Sequence, residues 1–207
     1  MLKHFFQDNI PCLGIEPTQS TATAAEGLGI TVLKEFFSEK LGSTLKHTFG
    51  LADLIIGNNV FAHVPDITDF TRGLKAALKP SGIVTLEFPH LMRLISEKQF
   101  DTVYHEHFSY LSLNVVNNIF SDFGLRIWNV EELLTHGGSL RIYASHVENN
   151  DSVFGSVSSL ISKENAFGLQ DLIKKAGIQR RVYTAGKNKS TLDPFVEEKQ
   201  EDIERLK

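Results

Sequence analysis

The sequence is poor in the residues that build disulfide frameworks, cysteine metal cages and membrane spans. Cys12 is the single cysteine among 207 residues, so neither an internal disulfide nor a cysteine-based zinc site can form from this chain alone. No apolar run is long enough to cross a bilayer, and the first residues lack the charged, apolar and small-residue order of a secretion signal. These absences favour a reducing, cytoplasmic setting and no membrane partner.

The chain also lacks a basic cluster. Its formal net charge is −4, with 21 Lys and Arg against 25 Asp and Glu, so a nucleic-acid-binding surface is not indicated. The hydrophobic fraction of 42% and the charged fraction of 22% are typical of a globular chain that can bury a sizeable core. No internal repeat is present.

Short apolar segments alternate with amphipathic segments over the first 150 residues. The segments that are strand-like are 11–16, 30–37, 53–59, 82–88, 125–130 and 139–147. The helical patterns are 1–8, 17–27, 38–49, 66–79, 91–98, 113–123 and, more weakly, 152–168 and 193–207. This order predicts an α/β fold with helices on both faces of a mostly parallel sheet and a late antiparallel pair at its edge. The continuous apolar run at 53–59 predicts a strand that is buried on both faces.

Three of the predicted strands end in polar residues. These residues are Glu16, the pair Asn58 and Asn59, and Glu87. Ligands of open α/β sheets bind outside the carboxyl ends of the strands, so we expect these side chains on one rim. A carboxylate offers two acceptor oxygens to the hydroxyls of a ribose, although an exposed helix-capping acid explains Glu16 equally well.

Aromatic and imidazole side chains near this rim are weaker candidates. Phe36 and Phe37 are placed to flank an adenine ring, but burial in the core is the better explanation for at least one of them. His63 precedes Val-Pro-Asp, and a lone histidine in such a position usually makes a loop hydrogen bond. It becomes a catalytic candidate only if it meets His107.

The stretch 100–110 concentrates groups that move protons. It contains Tyr104, His105, Glu106, His107 and Tyr110, and imidazole titrates near neutral pH. On an extended backbone, His105 and His107 would share one face, whereas on a helix they would diverge. A His-x-His pair taken alone is better explained as loop residues that satisfy backbone groups.

Five stretches together resemble the class I S-adenosylmethionine-dependent C-methyltransferases that act on nucleotide-linked keto-deoxysugars. The resemblance runs from about Leu2 to His146. The stretches are Gly14-Ile-Glu-Pro17, Asp53-Leu-Ile-Ile-Gly-Asn-Asn-Val-Phe-Ala-His-Val-Pro-Asp66, Thr85-Leu-Glu-Phe-Pro-His90, Phe100-Asp-Thr-Val-Tyr-His-Glu-His-Phe-Ser-Tyr110 and Thr135-His-Gly-Gly-Ser-Leu-Arg141.

The resemblance implies a doubly wound, Rossmann-like methyltransferase sheet, S-adenosylmethionine as the cofactor and a nucleotide-linked keto-deoxysugar as the substrate. It implies that His107 is the general base that removes a proton beside the sugar ketone, giving an enolate that attacks the sulfonium methyl. The roles that it implies for the other residues are ribose binding by Glu16, a cleft lined by Asn58 and Asn59, and orientation of the sugar and the base by Tyr104, Glu106 and His63. Phe37 joins the cofactor-binding candidates from its position. Neutral imidazole can accept a proton near pH 7, and a neighbouring carboxylate stabilises the imidazolium that results.

The chain departs from this family in three features. It has no cysteine-rich zinc module, no strand followed by a glycine-rich turn, and no second Rossmann-like unit after the linker-like helix. Glu26-Gly-Leu-Gly29 leads into a predicted strand, whereas a turn that cradles the cofactor must follow a strand and open a helix. The sheet is therefore predicted to be incomplete at its central strand, between the strands at 11–16 and 53–59, which leaves two buried edges unpaired.

These departures predict a truncated or split methyltransferase whose sugar half-site is intact and whose cofactor half-site is not. Residues 1–149 would be a partial methyltransferase domain and residues 150–207 a helical C-terminal extension, with a second chain as one source of the missing segments. A non-catalytic fragment or nucleotide-sugar-binding partner is the alternative. A metal-dependent enzyme is a third reading, and it would need His105, His107 and a further ligand such as His136 or His63.

Overall fold

The computed structural model describes residues 1–102, 105–149 and 151–171. Its helices are α1 (Leu2–Gln7), α2 (Gln19–Glu26), α3 (Glu39–Thr48), α4 (Ile67–Ala77), α5 (Leu91–Ser96), α6 (Leu113–Asp122) and α7 (Gly155–Ala166). Its strands are β1 (Leu13–Ile15), β2 (Thr31–Leu33), β3 (Ala52–Asn58), β4 (Leu78–Pro89), β5 (Leu125–Leu133) and β6 (Ser139–His146). Short 3₁₀ turns lie at Phe61–His63, Phe100–Thr102 and Thr135–Gly137.

Three of the helices begin at side-chain caps that are visible in the sequence. The Ser38 hydroxyl accepts a hydrogen bond from the N–H of Leu41 at the start of α3, and Ser112 caps α6 in the same way. The Asp66 carboxylate accepts from two N–H groups in the first turn of α4. Such caps satisfy N–H donors that have no partner within the helix and so stabilise the start of the helix. The helices predicted at 38–49, 66–79 and 113–123 are confirmed.

The larger sheet has the strand order β3-β4-β6-β5. Strands β3 and β4 are parallel, while β6 runs antiparallel to both β4 and β5. Helices α4, α6 and α7 pack on this sheet over a core centred on Phe61, Phe88 and Phe120. The predicted α/β fold with a late antiparallel pair is confirmed.

Strands β1 and β2 form a separate, parallel two-stranded sheet. Within the described residues, no strand pairs with the free edge of β3 or joins it to β1. Helix α3 lies across the break, because Leu41 and Leu45 contact Ile15 of one sheet and Ile55 of the other in a single apolar cluster. The break occurs where the sequence predicts that the sheet lacks its central strand, and residues 1–9 supply helix α1 rather than a strand.

The prediction that the strand at 53–59 is buried on both faces is wrong. Ile55 packs against the core, but Asp53 is exposed and Leu54 is 44% exposed. Leu54 is exposed because, among the described residues, β3 pairs with a strand on one edge only. The helices that contact β3 cover the face that carries Ile55.

Helix α7 belongs to the same core as the sheet. Val157 and Leu160 are buried against it, and so is the charged residue Glu164. The proposed boundary at residue 149 stays a prediction, and the helix predicted at 193–207 lies outside the described residues. No helix in the described ranges is both long enough and apolar enough to cross a membrane.

Candidate functional site

The carboxyl ends of β3 and β4 lie side by side. Asn58 pairs in register with Glu87, and the N–H of Asn59 donates to the main-chain carbonyl of Glu87 at 2.8 Å. These polar residues therefore share a rim, as expected for neighbouring parallel strands. Glu16 follows β1, which is in the other sheet.

Asn59 has the backbone and side chain of a ligand-facing residue. Its φ of 54° lies in the left-handed region, which Asn tolerates better than most residues. Its side-chain oxygen is buried and has no hydrogen-bond partner among the described residues. Buried polar atoms are nearly always paired in folded proteins, so an open acceptor at this rim is a candidate contact for a bound molecule.

Glu87 is a buried carboxylate that joins the rim to the loop between β5 and β6. Thr135 Oγ1 donates to Glu87 Oε1 at 2.8 Å, and Arg141 Nη2 donates to Oε2 at 2.7 Å. Burial raises the pKa of Glu87, but the hydrogen bonds from Arg141 and Thr135 outweigh it and hold the pKa below its usual value. Glu87 is therefore a fixed negative charge at neutral pH.

His63 and His107 meet beside this rim. Their rings are in edge-to-face contact with centroids 4.6 Å apart, which is the condition that makes His63 a catalytic candidate. The two segments are also joined by the N–H of Ser109, which donates to the carbonyl of Ala62 at 3.1 Å. The long-range contact thus places two imidazoles side by side, with His63 in the short turn that follows β3.

Main-chain carbonyls fix the tautomer of both rings. His63 Nδ1 lies 2.9 Å from the carbonyl oxygen of Glu106, and His107 Nδ1 lies 3.1 Å from that of Thr102. A carbonyl oxygen only accepts, so each Nδ1 carries the proton that is donated. In the neutral form the basic lone pair of each imidazole is therefore on Nε2.

The pKa of His107 lies below its ordinary value. Burial is the largest cause, and the nearby His63 lowers the pKa further, while the hydrogen bond to Thr102 and the carboxylate of Glu106 oppose the shift. The ring is consequently neutral at pH 7. A neutral imidazole with a defined tautomer can act as a general base.

The rest of the 100–110 stretch differs from the extended model. Residues 105 and 106 lie in a turn, so the extended backbone on which His105 and His107 would share one face is not formed here. His105 and Glu106 are exposed, and Tyr104 lies outside the described residues. The described ranges contain no group of three or more His, Cys, Asp or Glu that could hold a metal ion, so the third ligand needed by the metal-dependent reading is not found there.

The residues predicted to hold a nucleoside have local structural roles. Glu16 Oε1 accepts a hydrogen bond from the N–H of Thr18, the residue that precedes α2, at 2.8 Å. This capping contact leaves Oε2 without a hydrogen bond in the described part of the chain. Phe37 packs edge-to-face on Phe70 with ring centroids 5.1 Å apart, whereas Phe36 is 77% exposed. Phe37 is therefore partly core, and Phe36 is the open aromatic of the pair.

Sequence reasoning did not assign a role to three groups, of which one lies near His107 and two lie at Glu87. Tyr110 lies with its ring centroid 5.7 Å from that of His107, while Thr135 and Arg141 reach the rim through Glu87. Thr135 and Arg141 could have been identified from the last of the five family-like stretches, which runs from Thr135 to Arg141. Their contact with Glu87 depends on the pairing of β4 with β6 and could not be read from spacing.

Comparison with known proteins identifies relatives over most of this region. A family model described as "Methyltransferase domain" matches residues 2–130. The C-methyltransferase NovU of Streptomyces niveus is 33% identical over 168 residues, which are 81% of this chain and 40% of that protein. The chain thus spans well under half the length of this relative. An 80-residue segment, 38% of the chain, is 46% identical to a tenth of a protein named Na(+)/H(+) antiporter NhaA from Brucella abortus.

Solved structures share the fold at low sequence identity. A SAM-dependent methyltransferase from Archaeoglobus fulgidus has a TM-score of 0.56 and 14% identity, over 69% of this chain and 79% of that one. A SAM-dependent methyltransferase from Anabaena variabilis has a TM-score of 0.55 and 14% identity, over 70% of this chain and 72% of that one. The 1,6-didemethyltoxoflavin-N1-methyltransferase of Burkholderia thailandensis, solved with S-adenosylhomocysteine, has a TM-score of 0.52 and 14% identity, over 71% of this chain and 66% of that one. The architecture is that of the Rossmann-like fold of these enzymes.

Proposed function

The chain belongs to the methyltransferase domain family, and on this premise we propose that it carries the sugar-binding and base-bearing half of an S-adenosylmethionine-dependent C-methyltransferase for a nucleotide-linked keto-deoxysugar. The observation that carries the proposal is His107, a neutral imidazole whose Nδ1 is engaged by Thr102 and whose Nε2 has the basic lone pair. The similarity to a protein named as a C-methyltransferase supports carbon as the acceptor atom.

In the proposed reaction, His107 Nε2 removes a proton from the carbon beside the sugar ketone. The C–H bond breaks, the proton passes to the imidazole, and the electron pair forms an enolate. Such a carbon acid is weak, so the base must be held in place and the enolate oxygen must meet donors as charge develops. The carboxylate of Glu106 stabilises the imidazolium, because it raises the pKa of His107. S-adenosylmethionine, the cofactor of this fold, supplies the electrophilic methyl group.

The described residues fit the cofactor only in part. Glu16 keeps one carboxylate oxygen for a ribose hydroxyl. Gly27 and Gly29 lie before strand β2, so they do not form a turn that follows a strand, and β1 and β3 are not joined. The methionine part of the cofactor therefore has no cradle among the described residues. A parallel strand between β1 and β3, from a second chain or from a segment outside the described residues, would complete the sheet at this point.

Proton exchange tests the base without the cofactor. The purified chain is incubated in D₂O with thymidine- and uridine-diphosphate-linked 4-keto-6-deoxysugars, and NMR follows the loss of the proton beside the ketone. We expect exchange with the wild-type chain and a rate about 10²- to 10⁴-fold lower with His107→Asn. Binding of the sugar nucleotides without exchange would contradict the catalytic proposal and support the alternative, a non-catalytic nucleotide-sugar-binding partner, which the break in the sheet favours. A cytoplasmic setting stays a prediction from the single cysteine.

A further inference from the structure

The turn between β5 and β6 presents an imidazole that the proposed reaction does not use. His136 has φ 52° and ψ 38°, in the left-handed region, inside the 3₁₀ turn Thr135–Gly137. Its side chain is exposed, and the preceding Leu134 is 97% exposed. Residues other than glycine adopt this conformation uncommonly, although Asn, Asp and His do so more often than the rest.

Hydrogen bonds hold the turn on both sides of His136. Thr135 Oγ1 donates to Glu87, and the carbonyl of Thr135 accepts from Ser139 Oγ at 3.0 Å. On the other side, Gln99 Nε2 donates to the carbonyl of Gly137 at 2.7 Å. The backbone of His136 is therefore fixed while its ring remains accessible.

Glu87 connects this turn to the end of β3. Its main-chain carbonyl accepts from the N–H of Asn59, and its carboxylate accepts from Thr135. Glu87 thus links Asn59, a left-handed residue, to Thr135, the neighbour of a second left-handed residue, His136. His136 is also close enough to His107 and Glu87 for its charge to lower the pKa of each.

We propose that His136 is a substrate-contacting residue that donates a ring N–H hydrogen bond to an oxygen of the sugar, and that Thr135 and Glu87 are positioning residues that hold it toward the cleft. The proposal rests on the proposed function, because it takes the cleft beside His107 as the sugar site.

Two variants separate contact from positioning. His136→Asn keeps a residue that tolerates the left-handed turn, so we expect the thermal midpoint of unfolding to be retained while the sugar nucleotide binds about tenfold more weakly, the loss of one hydrogen bond to a ligand. Thr135→Val removes the contact with Glu87 but retains the imidazole, so we expect a smaller loss of affinity. Lys98→Asn is the control, since Lys98 is another left-handed residue with φ 54° outside this turn, and its affinity should match the wild type.

Affinity is measured by calorimetry with a thymidine-diphosphate-linked 4-keto-6-deoxyglucose as the probe, on the full chain. Equal affinity of His136→Asn and wild type would overturn the inference and leave the proposed function standing. If the wild-type chain binds neither the thymidine nor the uridine series, the proposed function and this inference fall together. Equal losses in His136→Asn and Lys98→Asn would show that the loss of affinity is not specific to the His136 ring and would also overturn the contact.

Discussion

His63 and His107 stand in edge-to-face contact with ring centroids 4.6 Å apart, and both use Nδ1 to donate to a main-chain carbonyl. The two rings therefore present the same kind of nitrogen, Nε2, as their basic atom. A proton on one ring disfavours a proton on the other, because like charges at this distance repel. His63 thus contributes to the lowered pKa of His107, which is a neutral base at neutral pH.

Replacement of His107 by Asn should remove the base. We expect the rate of proton exchange beside the sugar ketone to fall by about 10²- to 10⁴-fold, the usual worth of a positioned general base. His105→Asn is the matched control, since His105 is exposed in the adjacent turn and its loss should leave the rate within a factor of about two. A larger effect from His105 than from His107 would reverse the assignment. NMR exchange rates in D₂O check both.

The pH dependence of exchange should move in opposite directions in two variants. His63 lowers the pKa of His107 and Glu106 raises it. His63→Gln should therefore shift the acid limb of the rate profile to higher pH, and Glu106→Gln should shift it to lower pH. Rate profiles and titration of the imidazole Cε1–H resonance measure the shift.

The same pKa shift has a signed effect on stability. The pKa of folded His107 lies below the unfolded value of about 6.5, so the unfolded chain binds the proton more tightly. The contribution of His107 to the free energy of unfolding is fully present above that pH and is lost as pH falls through the folded pKa. A wild-type chain that becomes more stable than His107→Asn on acidification from pH 7 to 5 would contradict this sign.

Glu164 should be required for the stability of the fold around α6. Its side chain is 1% exposed, and it accepts from the N–H groups of Leu113 and Asn114 at 2.6 and 2.9 Å and from His90 Nε2 at 2.9 Å. Glu164→Leu leaves these donors buried without a partner and should lower the free energy of unfolding by about 3–5 kcal/mol. Glu164→Gln keeps one acceptor and should cost about 1–3 kcal/mol.

The neighbouring residue Lys163 provides the control for Glu164. It makes an ion pair of 2.7 Å with Glu132, but its side chain is 56% exposed. Lys163→Ala should therefore cost no more than about 1 kcal/mol. Urea unfolding of the variants measures the differences, and equal costs for Lys163→Ala and Glu164→Leu would show that α7 is not integral to the core.

Local features of the sequence were sufficient to predict most of the helices and strands. Ser38, Asp66 and Ser112 are caps whose effect depends on the next three residues, so the helix starts could be read directly. The position of β3 was also predicted, since its apolar run is unmistakable. The exposure of Leu54 was not, because burial depends on a neighbouring strand rather than on β3 itself.

The residues of the site could be predicted where the family resemblance supplied a motif. Contacts between elements that are distant in the sequence could not be predicted. The cleft residues His63 and His107 could be named, but their contact required the packing of the turn after β3 against the segment before α6. The role of Glu164 was not predicted, because the pattern after Asn149 is weak and its partner His90 lies at the end of β4. The left-handed conformation of His136 could not be predicted either, because the turn around it is held by hydrogen bonds to residues that are distant in the sequence, such as Glu87 and Gln99.

A methyl group at Gly42 should destabilise the packing of α3 on α4. A Cβ built at this glycine would lie 2.4 Å from the carbonyl oxygen of Gly73, which is backbone and cannot move aside. Gly42→Ala should therefore lower the free energy of unfolding by about 1–3 kcal/mol. Gly155→Ala is the control, because its Cβ meets nothing within 4 Å and the change should be neutral or stabilising by up to about 1 kcal/mol. Thermal and urea unfolding test both, and an equally stable Gly42→Ala would mean that the two helices can separate without cost.

The break between β1 and β3 should separate the two halves of the proposed reaction. Glu16 can still meet a ribose, but the described residues form no cradle for the methionine part of the cofactor, so we expect calorimetry to show weak or undetectable binding of S-adenosylhomocysteine by the 207-residue chain. The same chain should still bind the sugar nucleotide and exchange its proton, because His63, His107 and Glu87 lie on the other side of the break.

Glu16→Ala is the control for cofactor binding. Tight binding that this variant abolishes would show that the cofactor half-site is complete without a further strand, and the proposal of a split site would then be wrong. Absence of cofactor binding together with proton exchange would mean that the base is functional and that methyl transfer awaits the strand that closes the sheet.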